Sequence, residues 1–295
     1  MQKFIFIFWL VFICSSFNFC TAQTKNDLPK KRFPVKLLSH EEGLADINLC
    51  SVATDALGFT WVSSYTGLQC YDGYNFKTIH PVAGKDRFII NYPVYIFRLN
   101  DGNLWINIAE GMLLYNAQAG SFKKIISEKI SGGYYFSIVP LLQTGEGIWC
   151  MQQHKGIVLY GLDGKLKQQS SFFPAANTDS ILSSQFMQLD NLFSADKEAF
   201  AIINPAGSVL VADTKSRSSN IIHTNKNEIH AISFLNGSLY ILGNTTFIRV
   251  KDEGQGASKE IPFIQKPYTK LNGANLSAYN KSSFLCCAND RLYNL

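Results

Sequence analysis

The stretch Asp55-Ala56-Leu57-Gly58-Phe59-Thr60-Trp61-Val62-Ser63-Ser64-Tyr65-Thr66-Gly67-Leu68, closed by Tyr71-Asp72-Gly73, decides how the rest of the chain is read. Its outline returns at Asn100-Asp101-Gly102-Asn103-Leu104-Trp105, with Glu110-Gly111-Met112 and Tyr115 after it. It returns again at Gly145-Glu146-Gly147-Ile148-Trp149, with Lys155-Gly156-Ile157 and Tyr160. Fainter copies centre on Phe200, Tyr240 and Phe284, so that six aromatic residues stand 44, 44, 51, 40 and 44 residues apart. A glycine follows the aromatic by six or seven residues in four copies (Gly67, Gly111, Gly156 and Gly207), and Thr246 and Asp290 take that place in the last two. A repeat in the low forties is the length of one propeller blade.

Within the first copy the residues parse into four strands: Ile47 to Asp55, Phe59 to Ser63, Leu68 to Asp72 and Phe76 to Ile79. Asp72-Gly73 is a hairpin dipeptide whose residues tolerate positive φ, and Asp101-Gly102, Asp163-Gly164 and Asn236-Gly237 mark comparable turns. Such a meander, copied around an axis, predicts an all-β protein, a β-propeller of four-stranded antiparallel blades. Six blades are expected, near residues 44–79, 88–125, 135–169, 186–223, 228–261 and 271–295, the last one truncated, in an incomplete seven-bladed ring. Phe33 to Leu38 is the candidate closing strand. A large flat ring in the second strand fills the wedge between blades, and burying it contributes roughly 1.5–3 kcal/mol. Trp61, Trp105, Trp149, Phe200, Tyr240 and Phe284 are therefore expected as inter-blade core, not as a ligand-stacking surface.

The remaining composition fits that plan. The 295 residues are 46% hydrophobic with a mean hydropathy of +0.01, and apolar residues show no sustained helical period past the N-terminus. Lys3 precedes the apolar run Phe4 to Ile13, which ends in Cys20-Thr21-Ala22. This is the layout of a secretory signal peptide over residues 1–22, too short an apolar run to span a bilayer comfortably, so an exported, periplasmic protein is expected. Residues 23–36 form a basic leader holding Lys25, Lys30, Lys31, Arg32 and Lys36, part of a net charge of +5, and read as solvated. The propeller follows over residues 37–295. Cys50, Cys70, Cys150, Cys286 and Cys287 lack regular spacing and read as small buried hydrophobes.

Motifs for catalysis are missing. His40, His80, His154, His223 and His230 have no metal-ligand spacing, and neither a nucleophile elbow, a phosphate-cradling loop nor a dinucleotide fingerprint is present. No catalytic residue, metal or cofactor is expected, and basic residues are not interleaved with exposed aromatics in the way nucleic-acid binding requires. Topology offers more. Turns between second and third strands share one face with the connections between blades. Alignment on the aromatics puts Tyr65, Glu110, His154, Asn204, Asn244 and Asn289 on those turns, with Asp86, Arg87, Tyr134, Asn177, Asp179 and Tyr268 on the connections. These types suit hydrogen bonding and stacking with a small ligand such as an oligosaccharide.

The first copy, Gly58 to Leu68 with Tyr71-Asp72-Gly73, closely resembles the two-component regulator propeller repeat, and Leu38-Ser39-His40-Glu41-Glu42-Gly43-Leu44 resembles the lead-in of those sensors. The resemblance spans the mature chain as a fold and about a third of it by distinctive motif. It implies a non-enzymatic, extracytoplasmic, glycan-responsive sensor of a bacterial signalling receptor, of which this chain is an N-terminal fragment. It also implies downstream partners: an immunoglobulin-like domain, a helix anchoring the receptor in the inner membrane, and a histidine kinase or DNA-binding output. It leaves room for a homodimer formed through the full-length receptor. The alternative is a secreted propeller-type enzyme, a lyase or hydrolase similar to the streptogramin lyases with their Gly-x-x-Trp repeat. That reading requires an acid–base pair, for which Glu110 and His154 are the candidates. A structural or adhesion propeller is a third reading.

Overall fold

The computed structural model describes residues 38–88, 95–127, 137–170, 179, 181–182, 193–204, 207–223, 229–243, 247–250, 258–261, 275–280, 283–288 and 291–294. The chain divides into two compact units, Met1–Leu37 and Leu38–Leu295, and all of these residues belong to the second. The candidate closing strand therefore lies outside them except for Leu38, which is not in a strand.

Strands pair antiparallel in chain order and build one blade per repeat. Blade 1 holds β1 (Leu49–Thr54), β2 (Thr60–Ser64), β3 (Gly67–Tyr71) and β4 (Phe76–Ile79). A small hairpin, β5 (Val82–Ala83) with β6 (Asp86–Arg87), leads to blade 2: β7 (Ile96–Arg98), β8 (Leu104–Ile108), β9 (Gly111–Asn116) and β10 (Ser121–Ser127). Blade 3 holds β11 (Ile138–Thr144), β12 (Gly147–Gln152), β13 (Gly156–Tyr160) and β14 (Leu166–Gln169). Blade 4 holds β15 (Phe193–Asp196), β16 (Ala199–Ile203), β17 (Ser208–Asp213) and β18 (Ser218–His223). Blade 5 holds β19 (Ile229–Leu235), β20 (Ser238–Gly243), β21 (Phe247–Val250) and β22 (Ser258–Ile261). The sixth sheet has three strands, β23 (Asn275–Asn280), β24 (Ser283–Ala288) and β25 (Arg291–Asn294). The repeat glycine is the first residue of β3, β9 and β13.

First strands of successive blades lie beside one another: β1 by β7, β11 by β15, β15 by β19 and β19 by β23. In blade 3 the first five residues of β11 are buried and all four residues of β14 are exposed. In blade 3 the first strand therefore lies inside and the fourth at the rim, the arrangement of a β-propeller blade.

The lead-in is locally specified. Ser39 Oγ accepts the Glu41 N–H (3.1 Å) and Glu42 Oε2 accepts the Ser39 N–H (2.8 Å), a capping box around the one-turn 3-10 helix His40–Glu42. Leu44 is buried, and the Gln69 amide of β3 holds the segment at two points. Its Nε2 donates to the Gly43 carbonyl (3.1 Å) and its Oε1 accepts from the Ala45 N–H (2.8 Å).

The seams from blade 1 through blade 5 take side chains from alternate positions of the facing second strands. Trp61 points from blade 1 into a cluster with Leu104, Ile106, Leu113 and Tyr115 of blade 2, its ring centroid 4.4 Å from that of Tyr115. Its Nε1 donates to Asp55 Oδ2 (2.9 Å), inside its own blade. Trp105 points into blade 3, against Ile148, Cys150, Val158 and Tyr160, and Trp149 points into blade 4. Phe200 departs from the pattern. It joins Ile202, Leu210 and Ala212 in the cluster that contains Trp149, so it faces back to blade 3. Ala201, Ile203 and Val209 face forward to Ile232, Leu239 and Ile241 of blade 5. A strand alternates faces at every residue, so a shift of one position reverses the side chain. Tyr240 returns to the forward phase, since Leu239 and Ile241 face back. Phe284 lies in β24, its side chain outside the described part.

Turns of adjacent blades also touch. The Ala56 N–H of blade 1 donates to the Gly102 carbonyl of blade 2 (2.9 Å), and Gly102 has φ 80°. A Cβ on Gly102 would lie 2.6 Å from that of Ala56, so only glycine fits both the backbone and the approach.

Candidate functional site

Antiparallel strands in chain order send every second-to-third-strand turn and every blade connection to one end of the sheets. Tyr65 is in the β2–β3 turn, Glu110 in β8–β9, His154 in β12–β13, and Asn204 directly follows β16. Asn244 and Asn289 lie outside the described residues, as do Tyr134, Asn177 and Tyr268 of the connections. Arg87 is exposed on β6, and of Asp86 only the strand position is described.

The structure joins His154 to Asp179, 25 residues on in the connection to blade 4. The His154 N–H donates to Asp179 Oδ1 (2.7 Å), and Nδ1 lies 3.1 Å from Oδ2. Gln153 Nε2 stands 3.1 Å from His154 Nε2. An amide nitrogen only donates and a carboxylate only accepts, so the neutral ring that suits both neighbours carries its proton on Nδ1. His154 adopts φ 61°, held there by its main-chain bond to Asp179. Its side chain is 63% exposed against 20% for Asp179. Ile181 and Leu182, just after Asp179, are buried in the blade 3–4 seam, so the connection is anchored immediately past this contact.

The other turn residues sit differently. Asn204 Oδ1 accepts the Ser208 N–H (2.9 Å), so the side-chain carbonyl closes its own turn. Tyr65 and Glu110 are half-buried.

A polar layer lies under this end. Ser51, Ser63, Ser64, Asn107, Ser137, Gln152 and Gln153 are all buried. Asn107 Nδ2 donates to the Ile138 carbonyl (2.8 Å) across the blade 2–3 seam, the Tyr160 hydroxyl donates to Gln152 Oε1 (2.7 Å), and the Gln153 N–H donates to the Ser137 carbonyl (2.9 Å). Sequence reasoning passed over these residues. The available signal was a carboxamide inside an apolar strand, as in Leu104-Trp105-Ile106-Asn107-Ile108.

The opposite end of blade 3 carries an open groove of about 400 Å³ lined by Thr144, Glu146, Gly147, Asp163 and Lys167 among others. Arg217 of blade 4 borders it, with NH2 2.7 Å from Glu146 Oε2 and its guanidinium 5.0 Å from the Trp149 ring centroid. Among the described residues, no cluster of three or more His, Cys, Asp or Glu is arranged to hold a metal ion. No helix among them is long and apolar enough to cross a membrane.

No protein-family model matches the chain, and no curated protein matches it. Solved structures do. The extracellular domain of a protein described as the hybrid two-component system BT4673 from B. thetaiotaomicron superposes with a TM-score of 0.61 at 14% identity, over 90% of this chain and 38% of that one. That of the hybrid two-component system BT3049 from the same organism gives 0.57 at 16% identity, over 86% and 34%. Virginiamycin B lyase from Staphylococcus aureus gives 0.55 at 12% identity, over 84% of both chains. The chain thus has the propeller fold found in extracellular domains of two-component systems, and it spans about a third of the length of those it matches. At these identities the likeness is one of fold.

Proposed function

We propose that this chain is the extracytoplasmic, non-catalytic propeller of a bacterial signal-transduction receptor, and that it binds a hydroxyl-rich small ligand such as an oligosaccharide at the end bearing Tyr65, Glu110 and His154. The observation that carries the reading is the His154–Asp179 contact, at 2.7 and 3.1 Å, which fixes a polar side chain and a blade connection together on an exposed end. A ligand that bonds either group shifts the connection and with it the blade 3–4 seam. The propeller fold of two-component extracellular domains supports the setting, and the apolar N-terminal run of the sequence supports export. In the full-length receptor the downstream domains carry the output, and the membrane anchor lies there.

Proton transfer is the weaker reading, even beside a lyase of similar fold. His154, the base that reading requires, has Nδ1 beside Asp179 and Nε2 beside Gln153, so neither ring nitrogen is presented to a substrate without a rearrangement.

Calorimetric titration of the secreted chain with neutral and acidic oligosaccharides tests the proposal. Binding that weakens at least tenfold in His154→Ala and Asp179→Ala is expected. Absence of binding to any oligosaccharide removes the glycan class, and unchanged binding in both variants removes the site.

A further inference from the structure

We propose that Asn236 is a site of spontaneous covalent modification, conversion to aspartate and isoaspartate, which Asp196 of the neighbouring blade restrains while the blade 4–5 seam is closed. Asn236-Gly237 is the two-residue turn between β19 and β20, with Leu235 paired to Ser238 across it. Asn236 has φ 51° and Gly237 φ 77°, the left-handed pair of a tight hairpin, and both residues are exposed.

The chemistry is local to the dipeptide. The Gly237 main-chain nitrogen loses its proton and attacks Asn236 Cγ. The bond from Cγ to the side-chain nitrogen breaks, and ammonia leaves with the proton. Water then opens the resulting cyclic imide at either carbonyl. One opening gives aspartate, and the other gives isoaspartate, in which the main chain runs through the former side chain. Glycine after the asparagine favours closure because no side chain crowds the attacking nitrogen.

In the folded chain that nitrogen is engaged. The Gly237 N–H donates to Asp196 Oδ2 (2.9 Å), at the end of β15 in blade 4. A carboxylate is too weak a base to remove an amide proton, and its charge opposes a negatively charged nitrogen beside it. A second bond holds the same hairpin to blade 4, the Phe234 N–H donating to Ser194 Oγ (3.0 Å). Ring closure also swings the Gly237 nitrogen onto Cγ, against the pairing of Leu235 with Ser238.

Reaction therefore passes through a local opening of the seam, and its rate follows the population of the open form. The products fit the closed seam less well. Aspartate places a second carboxylate one residue from the N–H that Asp196 holds, and isoaspartate adds a main-chain methylene to a turn of two residues.

Peptide mass spectrometry of the full chain, kept in mildly alkaline buffer, tests the site. Chromatography separates aspartate from isoaspartate, and digestion separates Asn236-Gly237 from the other Asn-Gly pair, Asn272-Gly273. Conversion at Asn236 is expected to be at least tenfold slower in the native chain than in urea. Asp196→Ala is expected to speed it at least threefold with the rate at Asn272 unchanged. Asp196→Asn, which keeps an acceptor without the charge, is expected to give a smaller increase. Equal rates in native and unfolded chains, an unchanged rate in Asp196→Ala, or an equal acceleration at Asn272 overturns the restraint. Absence of conversion in the unfolded chain removes the site.

Discussion

Trp149 and Phe200, from blades 3 and 4, fill the same seam from opposite sheets, both with zero exposed area. Among the described residues the blade 4–5 seam has no aromatic from blade 4, because Ala201 occupies the forward-facing position there. Phe200→Ala is expected to open a cavity in the blade 3–4 seam and cost about 3–5 kcal/mol. Ala201→Phe is expected to overpack the next seam and cost about 1–3 kcal/mol. Urea denaturation measures both, and a neutral Ala201→Phe would contradict the assigned phase.

Asp55 is 3% exposed and accepts three donors: the Trp61 indole, and the N–H groups of Leu57 and Phe59 at Oδ1 (2.9 and 3.1 Å). Trp61→Phe keeps an aromatic in the seam and takes one donor from a buried carboxylate. A loss of about 1–3 kcal/mol is expected beyond that of the smaller ring. Combining it with Asp55→Asn should give a loss smaller than the sum of the two, measured as a double-mutant cycle.

Acid sensitivity should come from the turns at the far end of the blades. Backbone N–H groups hold three carboxyls below the usual range: those of Asn75 and Tyr74 for Asp72, of Lys165 for Asp163, and of Ser216 for Asp213. A depressed folded pKa gives stability that is present above the unfolded value, about 3.9, and lost as pH falls through the folded value. Melting temperature should therefore fall from about pH 4 downward. Blade 2 makes a similar bond with an amide, Asn116 Oδ1 accepting the Ala119 N–H (2.9 Å). The triple variant Asp72→Asn, Asp163→Asn, Asp213→Asn should keep these bonds and flatten the acid limb in a pH series of thermal melts.

Thiol chemistry should be slow in the folded state. Burial, with nearby Asp46 for one and Asp55 and Asp72 for the other, pushes Cys50 and Cys70 up to about 11, and burial alone pushes Cys150 well up. At pH 8 only about one thiol in a thousand is then ionised at the first two positions. Alkylation followed by peptide mass spectrometry should show these three labelling at least tenfold faster in denaturant.

The blade plan was legible because its signals are local. A hairpin dipeptide, an aromatic and a following glycine act within about 15 residues, and each copy repeats them. His154 was legible as a turn residue for the same reason, since counting from Trp149 reaches it. Its partner was not: Asp179 stood among several polar residues of a connection, and the 25-residue span between them carries no periodicity. Asn107 and Gln152 were hidden inside apolar strands, and Asn204 gave no sign that its own turn would occupy its carbonyl.

From the sequence alone came the all-β class, the order of the strands, the number of repeats and the end on which each turn emerges, since these follow from contacts between residues close in the chain. Only the tertiary structure decided which face of each strand meets which neighbour. A spacing of 44 or 51 residues between aromatics does not carry the two-residue alternation of a strand across an irregular connection. That is why Trp149 and Phe200 share a seam, and why Asn107 and Gln152 face the same one.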